Sequence, residues 1–400
     1  NSYYFPEGTI HMLPKYIATN LGSLLAKRKR LALTLKLQIN KTGNVLTYEF
    51  FESIIECKKN FSYEAVERII KGELNSSFQK SLGNLNELCH ILKKNRFKIG
   101  GIALQSRDIK FKLDNYGNPI DIQLKRKLKS HYIIEEIMLL ANKTAASELI
   151  KLGSPDYSFS IFRNHDLPSK RSENFINNLA KNFKIRSMDE GPTLNYNKLN
   201  ESLKKLNSEQ KKYIISQLIL KKLKKARYQV SNRGHFGTGF KHYTHFTSPI
   251  RRYSDLTVHR ILKQKFKSQN PIKNEELIKI VEFCNHGERR ANDAEREYFK
   301  LKCLKWIKSK KRVKGNIVGF TEKSIEVAEM QTQFIGHVNY DSLDKNIYKI
   351  SKDKLKLSIP RGKYILKVGQ KVNLITKSIS THSKEIYFYI ENNLIEKYSR

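Results

Sequence analysis

The chain has 400 residues and carries 76 Lys and Arg against 38 Asp and Glu, which gives a formal net charge of +38. Its apolar content of 39% supports real hydrophobic cores, excludes a disordered polymer and fits two domains or one domain with an accessory module. The positive charge favours a polyanionic partner, nucleic acid above all, although a Lys-rich composition also arises from nucleotide bias in a genome.

Cysteine spacing and hydropathy argue against a structural zinc site and against a membrane protein. The four cysteines are widely spaced and form no CxxC pair, which indicates reduced thiols in a core rather than a structural zinc site. No run of about 18 apolar residues occurs, so we predict no membrane partner. These features favour a cytoplasmic location, and an organelle remains an open alternative.

Strand patterns dominate the first part of the chain. The alternation over residues 30–55 predicts two strands joined by a turn at 41–44. Ser62 is a candidate N-cap for a short helix that ends near Gly72. A second hairpin is predicted with its turn at 115–119, because Asn, Gly and Pro favour turns.

Helical patterns follow, and a new pattern begins after about Lys308. Apolar residues recur at helical spacing over 132–152, and further helices are predicted over 196–227 and 274–308. The first section therefore has the α+β fold class, a mixed sheet-and-helix domain. Six short alternating segments then predict a small β-barrel of the OB type.

The stretch HYTHFTSPIRRYSDLTVHRIL, which begins at His242, concentrates polar side chains. Thr247 or Ser248 is a candidate N-cap and Pro249 suits the first helical position, so we expect a loop that leads into a helix N-terminus. Such an end carries free N–H groups and a partial positive charge, which favour phosphate.

Two arginines, Arg251 and Arg252, would then lie in the first helical turn and could contact phosphate through paired donors. Asp255 is spaced to fix one arginine and to orient His259. The alternative is a purely structural capped helix with an Arg–Asp pair, and a ring such as Tyr253 at helical spacing is more often core than a platform for a base. The spacing alone leaves both open.

The stretch NRGHFGTGFKHYTHFTSPIRRYSDLTVHR, residues 232–260, closely resembles the signature of the RNase II / RNase R exoribonucleases, the RNB family. Further segments follow in the family's order, among them SYYFPEGTIHMLP, FSYEAVERII, IIEEIMLLAN and FRNHDLPS. The resemblance covers nearly the whole chain and leans towards the RNase R branch. It implies the C-terminal portion of an RNB catalytic domain over 1–307 and an S-one RNA-binding OB-fold domain over 308–400.

The resemblance implies processive hydrolysis of single-stranded RNA from its 3′ end to nucleoside 5′-monophosphates, with Mg²⁺, by a monomer that takes no DNA. Arg251 matches the family's catalytic arginine, and Glu295 matches an acidic group near the cleaved phosphate. Tyr4 matches an aromatic that stacks on terminal nucleotides, and Tyr63 and Glu135 match positions that set the 3′ end and contact ribose.

Other residues of the motif follow from the same resemblance. Arg252 and Tyr253 are expected to contact RNA, while Ser248, Asp255 and His259 are expected to support the site. Structural roles remain the alternative for the residues outside the motif, because Tyr4 and Tyr63 could be core and Glu135 could lie on a helix surface.

The sequence departs from the family's pattern in its metal ligands. The family binds metal with a DxDDA-like aspartate run upstream of the YFP segment, and no such run occurs here. We therefore predict no metal ligand in this chain and expect the Mg²⁺ ligands in a missing N-terminal segment, since the chain begins with Asn1 rather than Met. A fragment of this kind would be inactive alone; the alternative is a non-catalytic RNA-binding protein on the same scaffold.

Three further positions depart from the pattern. Leu104 stands where many relatives carry an aromatic opposite Tyr4, so we expect a weaker clamp on the terminal base. Gly22 and Lys29 replace the usual Cys and acidic residue, which leaves the local packing there open.

Overall fold

Hairpins and helices alternate through the first three quarters of the chain, and most of the later strands close into a barrel. The structure is a computed structural model that describes residues 1–105, 108–125, 127–152, 160–185, 196–264, 272–343, 349–358 and 365–391. The helices are α1 Tyr63–Ile70, α2 Gln79–Lys98, α3 Lys129–Leu152, α4 Lys170–Asn182, α5 Tyr196–Lys205, α6 Glu209–Leu220, α7 Tyr253–Gln264 and α8 Asn274–Lys308.

The strands are β1 Tyr3–Phe5, β2 Gly8–Ile10, β3 Lys29–Ile39, β4 Val45–Glu56, β5 Asp108–Leu113, β6 Pro119–Lys125, β7 Phe162–Asn164, β8 Arg227–Gln229, β9 Arg312–Phe320, β10 Ser324–Glu329, β11 Ile335–Asn339, β12 Lys349–Ile350, β13 Lys356–Ser358, β14 Ile365–Lys367, β15 Lys371–Ser380 and β16 Glu385–Ile390. Four antiparallel hairpins or pairs precede the barrel: β1–β2, β3–β4, β5–β6 and β7–β8.

Side-chain hydrogen bonds to the backbone stabilise the two predicted hairpin turns. At the end of β3 the Asn40 side chain accepts hydrogen bonds from the backbone of Thr42 and Asn44, at 3.1 and 2.9 Å. Between β5 and β6 the Asp114 carboxylate accepts from the backbone of Tyr116 and Asn118, at 2.9 and 2.7 Å. Both predicted hairpins are therefore confirmed.

Two hydrophobic cores share the long helix α8. The site-side core contains side chains from β4, α3, the β7–β8 pair, the loop before α7, α7 itself and the first half of α8: Phe50, Ala145, Ala146, Leu149, Ile161, Phe162, Tyr228, Phe246, Val258, Leu262, Leu277, Ile280, Val281 and Cys284. The barrel-side core joins α4, α5, α6 and the barrel interior to the last turns of α8, which contribute Cys303, Leu304, Trp306 and Ile307. One helix therefore connects both halves.

The barrel contains five strands in the order β10–β11–β16–β15–β9 and is closed. Neighbouring strands pair antiparallel, except that β11 and β16 meet in parallel. This arrangement is consistent with an OB-like fold, so the α+β fold class with a C-terminal barrel is confirmed. The division at 307 and 308 stays a prediction; α8 ends at Lys308 and β9 begins at Arg312.

The predicted helix over 196–227 is wrong in its extent. It is split into α5 and α6, because the Ser208 side chain accepts from the Lys211 N–H at 3.3 Å and starts a new helix. A turn over 221–223 follows Leu220, and the extended strand β8 then pairs with β7. The segment KLKLSI also differs from the prediction, since β13 joins β12 and β14 in a separate sheet outside the barrel.

None of the helices among the described residues has the length and hydrophobicity that crossing a lipid bilayer requires.

Candidate active site

The N-terminal strand lies against the middle of α8 and brings three predicted residues together. The Tyr4 N–H donates to Oε1 of Glu295 at 2.8 Å. Two residues earlier, the Ser2 N–H donates to the carbonyl of Arg251 at 3.1 Å. Tyr4, Arg251 and Glu295 therefore belong to one neighbourhood, which is joined through the backbone of residues 2–4.

Strand alternation decides which ring of the YYF segment faces outward. Tyr3 and Phe5 lie on the same side of β1 with ring centroids 6.4 Å apart, and Phe5 packs edge-on against Tyr298 of α8 at 5.1 Å. Because successive side chains of a strand point to opposite faces, Tyr4 points away from this packing, and 47% of it is exposed. Its ring is available to stack on a planar ligand.

The loop before α7 differs from its prediction. The helix begins at Tyr253 and not near Pro249, so Arg251 and Arg252 precede it. The N–H groups of both arginines point to the Ser248 carbonyl, at 3.3 and 3.0 Å, and close a separate turn. The Asp255 carboxylate, in the first turn of α7, accepts from the Ser248 N–H at 2.8 Å and so ties the loop to the helix.

Adjacent arginines have opposite environments. Arg252 donates to both oxygens of Asp255, at 2.8 and 2.7 Å, and Asp255 is fully buried. Burial alone would lower the pKa of Arg252, but the Asp255 carboxylate raises it. Arg251 is exposed, and no described carboxylate forms an ion pair with it. Arg251 is therefore the cation available to an anionic ligand.

His259 supports the loop through a different partner from the one expected. Its Nε2 bonds the Phe246 carbonyl at 2.8 Å, and its ring stacks on Phe246 at 4.5 Å, so the described bonds do not orient it through Asp255. Burial lowers the pKa of His259, which favours the neutral ring. Tyr253 is half-buried and packs on the site-side core, with its ring edge-on to Phe283 at 6.3 Å.

Asn142 of α3 holds the same loop and was missed by the sequence analysis. It is buried; its Oδ1 accepts from the N–H groups of Phe246 and Thr247 at 2.9 and 3.3 Å, and its Nδ2 donates to the Tyr243 hydroxyl at 3.0 Å. An asparagine next to Ala141, one of the predicted apolar helical positions, is a signal that could have identified it, because a buried amide needs partners.

Histidines form a partly buried cluster behind the loop. His245 bonds the Tyr228 hydroxyl at 2.8 Å, and burial holds its pKa well below the ordinary value. His235 accepts from the Thr238 N–H at 3.2 Å, and burial lowers its pKa to about 3. His165 packs edge-on against His235 at 5.1 Å. These rings are neutral near pH 7 and fill hydrogen-bonding and packing roles.

Tyr63 and Glu135 lie in a second neighbourhood, where α1 packs on the start of α3. The Tyr63 ring is 42% exposed and stacks on His131 at 4.0 Å. Glu135 Oε2 pairs with Lys127 Nζ at 2.5 Å, and Oε1 lies 3.9 Å from Arg96. The hydrogen bonds, ion pairs and ring contacts of the described residues do not link this neighbourhood directly to Tyr4, Arg251 and Glu295.

The three departures from the family pattern have different settings. A Cβ at Gly22 would lie 2.6 Å from Ile250 Cδ1, so the absence of a side chain lets the segment before β3 approach the Arg251 turn. Lys29 is opposite Glu56 at the end of the β3–β4 hairpin. Leu104 is partly buried against the barrel-side core.

The barrel adds a cleft for which the sequence analysis named no residues. Its volume is about 800 Å³, and its lining includes His337, Tyr387 and Tyr340. His337 and Tyr387 face each other across β11 and β16, with ring centroids 6.0 Å apart. The combination of aromatic and polar side chains suits nucleotides.

The described residues do not fit a metal ion. Among them, no group of three or more His, Cys, Asp and Glu side chains could hold one. The buried Asp255 is engaged by Arg252 and by two N–H or O–H donors from Ser248 and Ser254. The arrangement can bind an anion through Arg251 and a base through Tyr4.

Known proteins resemble this chain over nearly all its length. A family model described as RNB domain matches residues 1–268. The chain is 29% identical over 412 residues to Ribonuclease R 1 of Lactococcus lactis subsp. lactis (strain IL1403), which covers 99% of this chain and 50% of that protein. It is 32% identical over 409 residues to Ribonuclease R of Buchnera aphidicola subsp. Schizaphis graminum (strain Sg), which covers 97% of this chain and 55% of that protein.

A solved structure is similar as well. Mycoplasma genitalium RNase R in complex with ribose methylated single-stranded RNA aligns with a TM-score of 0.88 at 25% identity, over 98% of this chain and 62% of that chain. The chain therefore spans about half the length of the curated relatives it matches.

Proposed function

Because the chain belongs to the RNB family, we propose that it serves 3′-to-5′ exoribonuclease activity. The proposed substrate is single-stranded RNA, which is hydrolysed processively to nucleoside 5′-monophosphates. The relatives are about twice as long as this chain, so activity, substrate and partners are proposed for the protein that contains these residues. We propose that it acts as a monomer in the cytoplasm and does not use DNA.

The observation that carries the proposal is the meeting of Tyr4, Arg251 and Glu295. An exposed guanidinium with no described carboxylate partner supplies donors for phosphate oxygens. A half-exposed tyrosine ring nearby stacks on any base, since every base has a π face. A sequence-tolerant enzyme that cuts RNA needs both groups.

Each residue has a proposed role. Arg251 stabilises the negative charge that develops on the phosphoryl group during cleavage. Tyr4 stacks on the terminal nucleotides, and Glu295 fixes Tyr4 through the backbone bond described above. Tyr63 and Glu135 contact ribose, where the 2′-OH separates RNA from DNA. Arg252 and Tyr253 remain proposed RNA contacts, although Asp255 already engages Arg252.

Nucleases of the RNB family generally depend on divalent metal, and we propose Mg²⁺. The described residues lack a donor set for it, so we assign its ligands outside them and route no step through it. The same observation favours a second candidate function for these 400 residues alone, namely binding of RNA without cleavage. We expect the isolated chain to bind RNA and to release little mononucleotide.

A chimaera tests the first proposal. The chain replaces the matching half of the Lactococcus lactis protein, and a 5′-labelled single-stranded RNA is incubated with Mg²⁺. We expect the strand to shorten from its 3′ end while it keeps its 5′ label, and we expect Arg251→Ala to lower kcat by about 10²- to 10³-fold with little change in RNA affinity. Arg260→Ala, at an exposed arginine of α7, is the matched control.

The outcomes separate the two functions. A chimaera that binds RNA but never cleaves it would favour the binding protein. Equal losses of affinity and turnover in Arg251→Ala would make Arg251 a binding residue only.

A further inference from the structure

A groove of about 470 Å³ lies between α2 and α5, away from the Arg251 neighbourhood. We name it the α2–α5 groove. Four of the side chains that line it are lysines and one is a carboxylate: Lys93, Lys94, Lys98 and Lys204 against Glu201. Such a concentration of one charge in a concave surface raises the local potential and attracts anions.

Helical spacing places these lysines on one face. Residues 94 and 98 are four apart in α2, so their side chains lie one above the other, and Lys204 of α5 stands across the groove. All three side chains are exposed, and none forms an ion pair with a carboxylate among the described residues. Like charges at this spacing repel each other, so the surface is more favourable with an anion bound.

The groove reaches the Tyr63–Glu135 neighbourhood. Lys93 Nζ lies 3.5 Å from the centroid of the Tyr132 ring, and Lys127 Nζ lies 4.6 Å from the same ring. Lys127 in turn pairs with Glu135. Lys93 and Lys127 therefore share one ring, which links the proposed ribose contacts to the edge of the groove.

The groove offers charge rather than a stacking surface. The phenyl ring of Phe97 in its lining already has the Arg96 guanidinium 4.7 Å from its centroid and Lys204 Nζ 5.6 Å from it. A ring that already has two cations near it offers less of its surface to a base. Lysine ammonium groups on flexible stems contact phosphates without reading sequence.

We propose that the α2–α5 groove is a second RNA-binding surface that holds the phosphate backbone of the strand whose ribose meets Tyr63 and Glu135. The inference rests on the proposed function and extends it, because it assigns a backbone contact outside the Arg251 neighbourhood. The three exposed lysines contact phosphate rather than the 2′-OH, so we expect the groove to hold RNA and DNA backbones with similar affinity.

The test compares two triple variants of the 400-residue chain. The groove variant is Lys94→Gln, Lys98→Gln and Lys204→Gln; the control, Lys170→Gln, Lys181→Gln and Lys279→Gln, removes the same charge from exposed positions on α4 and α8. Binding of a 5′-fluorescein single-stranded oligoribonucleotide is followed by anisotropy over a salt series. Lys94→Arg, Lys98→Arg and Lys204→Arg together serve as the charge-preserving variant.

Three lost phosphate contacts have a defined effect. For single strands each contact contributes about 0.7 to the slope of log K against log salt, so the groove variant loses about 2 from that slope. Its Kd rises about 10- to 100-fold near 0.1 M salt, with the same factor for single-stranded DNA. The control stays within about threefold of the parent chain, and the arginine variant retains binding.

If the groove and control variants weaken binding equally, the groove is not an RNA-binding surface, although RNA binding by the parent chain is then still supported. A parent chain whose affinity for RNA is absent, or flat with salt, would overturn the proposed function itself. A larger loss for RNA than for DNA in the groove variant would also overturn the inference, because it would show a 2′-OH contact.

Discussion

The loop behind Arg251 and the α2–α5 groove both carry dense charge, but their charges are used differently. In the loop, Asp255 is fully buried and is satisfied by Arg252, Ser248 and Ser254. In the groove, Lys94 and Lys98 have no described carboxylate partner. A charged side chain with a partner inside the chain therefore stabilises the fold, whereas one without such a partner is available to bind a ligand.

Helix α2 shows the same contrast over one turn. Arg96 is buried and donates to both oxygens of the buried Glu136, at 3.1 and 2.5 Å. Lys94 and Lys98, two residues away on either side, are exposed. Sequence spacing predicts which residues share a face, but only the structure shows which face meets a carboxylate.

The largest expected effect comes from the buried pair. Asp255→Ala leaves the largely buried Arg252 charge and the Ser248 N–H without their partner, so we expect the free energy of unfolding to fall by about 3 kcal/mol or more in urea denaturation. Asp293→Ala is the matched control, because Asp293 also pairs with an arginine three residues on, at 3.0 Å, but both are about half exposed. That control should cost about 0–1 kcal/mol; similar losses in both variants would break the comparison.

The buried histidines give a smaller, pH-dependent effect. Burial, then His165 and Arg163, lowers the pKa of His235 to about 3. The unfolded chain takes up a proton near pH 6.5 and the folded chain does not, so this stability is complete above pH 6.5 and is lost as the pH falls towards 3. Between these two pKa values, each such ring lowers the free energy of unfolding by up to about 1.4 kcal/mol for every unit by which the pH falls.

His235→Asn tests this sign, because an amide oxygen can accept from Thr238 as Nδ1 does. Urea unfolding measured between pH 7 and 5 should show a shallower loss in the variant than in the parent chain. An unchanged slope would mean that His235 does not resist protonation.

The smallest effect on stability is expected in the groove. The triple change of Lys94, Lys98 and Lys204 to Gln removes exposed charges that hold no described carboxylate, so the free energy of unfolding should stay within about 0.5 kcal/mol of the parent or rise slightly. The same urea experiment measures it. A loss comparable with that of Asp255→Ala would make these lysines structural.

Local rules predicted the elements whose signals lie within a few residues. The hairpin turns and the Ser62 cap, whose Oγ accepts from the Ala65 N–H at 3.1 Å, needed only nearby side chains. The helix over 196–227 failed because Ser208 starts a new helix and the end of the segment pairs with β7. The start of α7 failed because Asp255, seven residues on, holds the Ser248 N–H.

The candidate site was predictable in its residue types but not in its contacts. The family resemblance named Tyr4, Arg251 and Glu295, which are far apart in sequence, while the bond between Tyr4 and Glu295 depends on how β1 docks on α8. Asn142 was not identified from the sequence because its hydrogen-bond partners lie about 100 residues away in the chain. Long-range hydrogen bonds of this kind leave no periodic signal.

Helix α8 also affects how the molecule comes apart. Its first half packs in the site-side core and its last turns pack in the barrel-side core. Unfolding of the first half of α8 would expose Leu277 and Ile280 to water, and unfolding of its last turns would expose Trp306 and Ile307. Because helix formation is cooperative, the loss of helical structure at one end would destabilise the rest of α8. The two cores are therefore expected to unfold in a coupled manner, and proteolytic cleavage within α8 is expected to destabilise both of them.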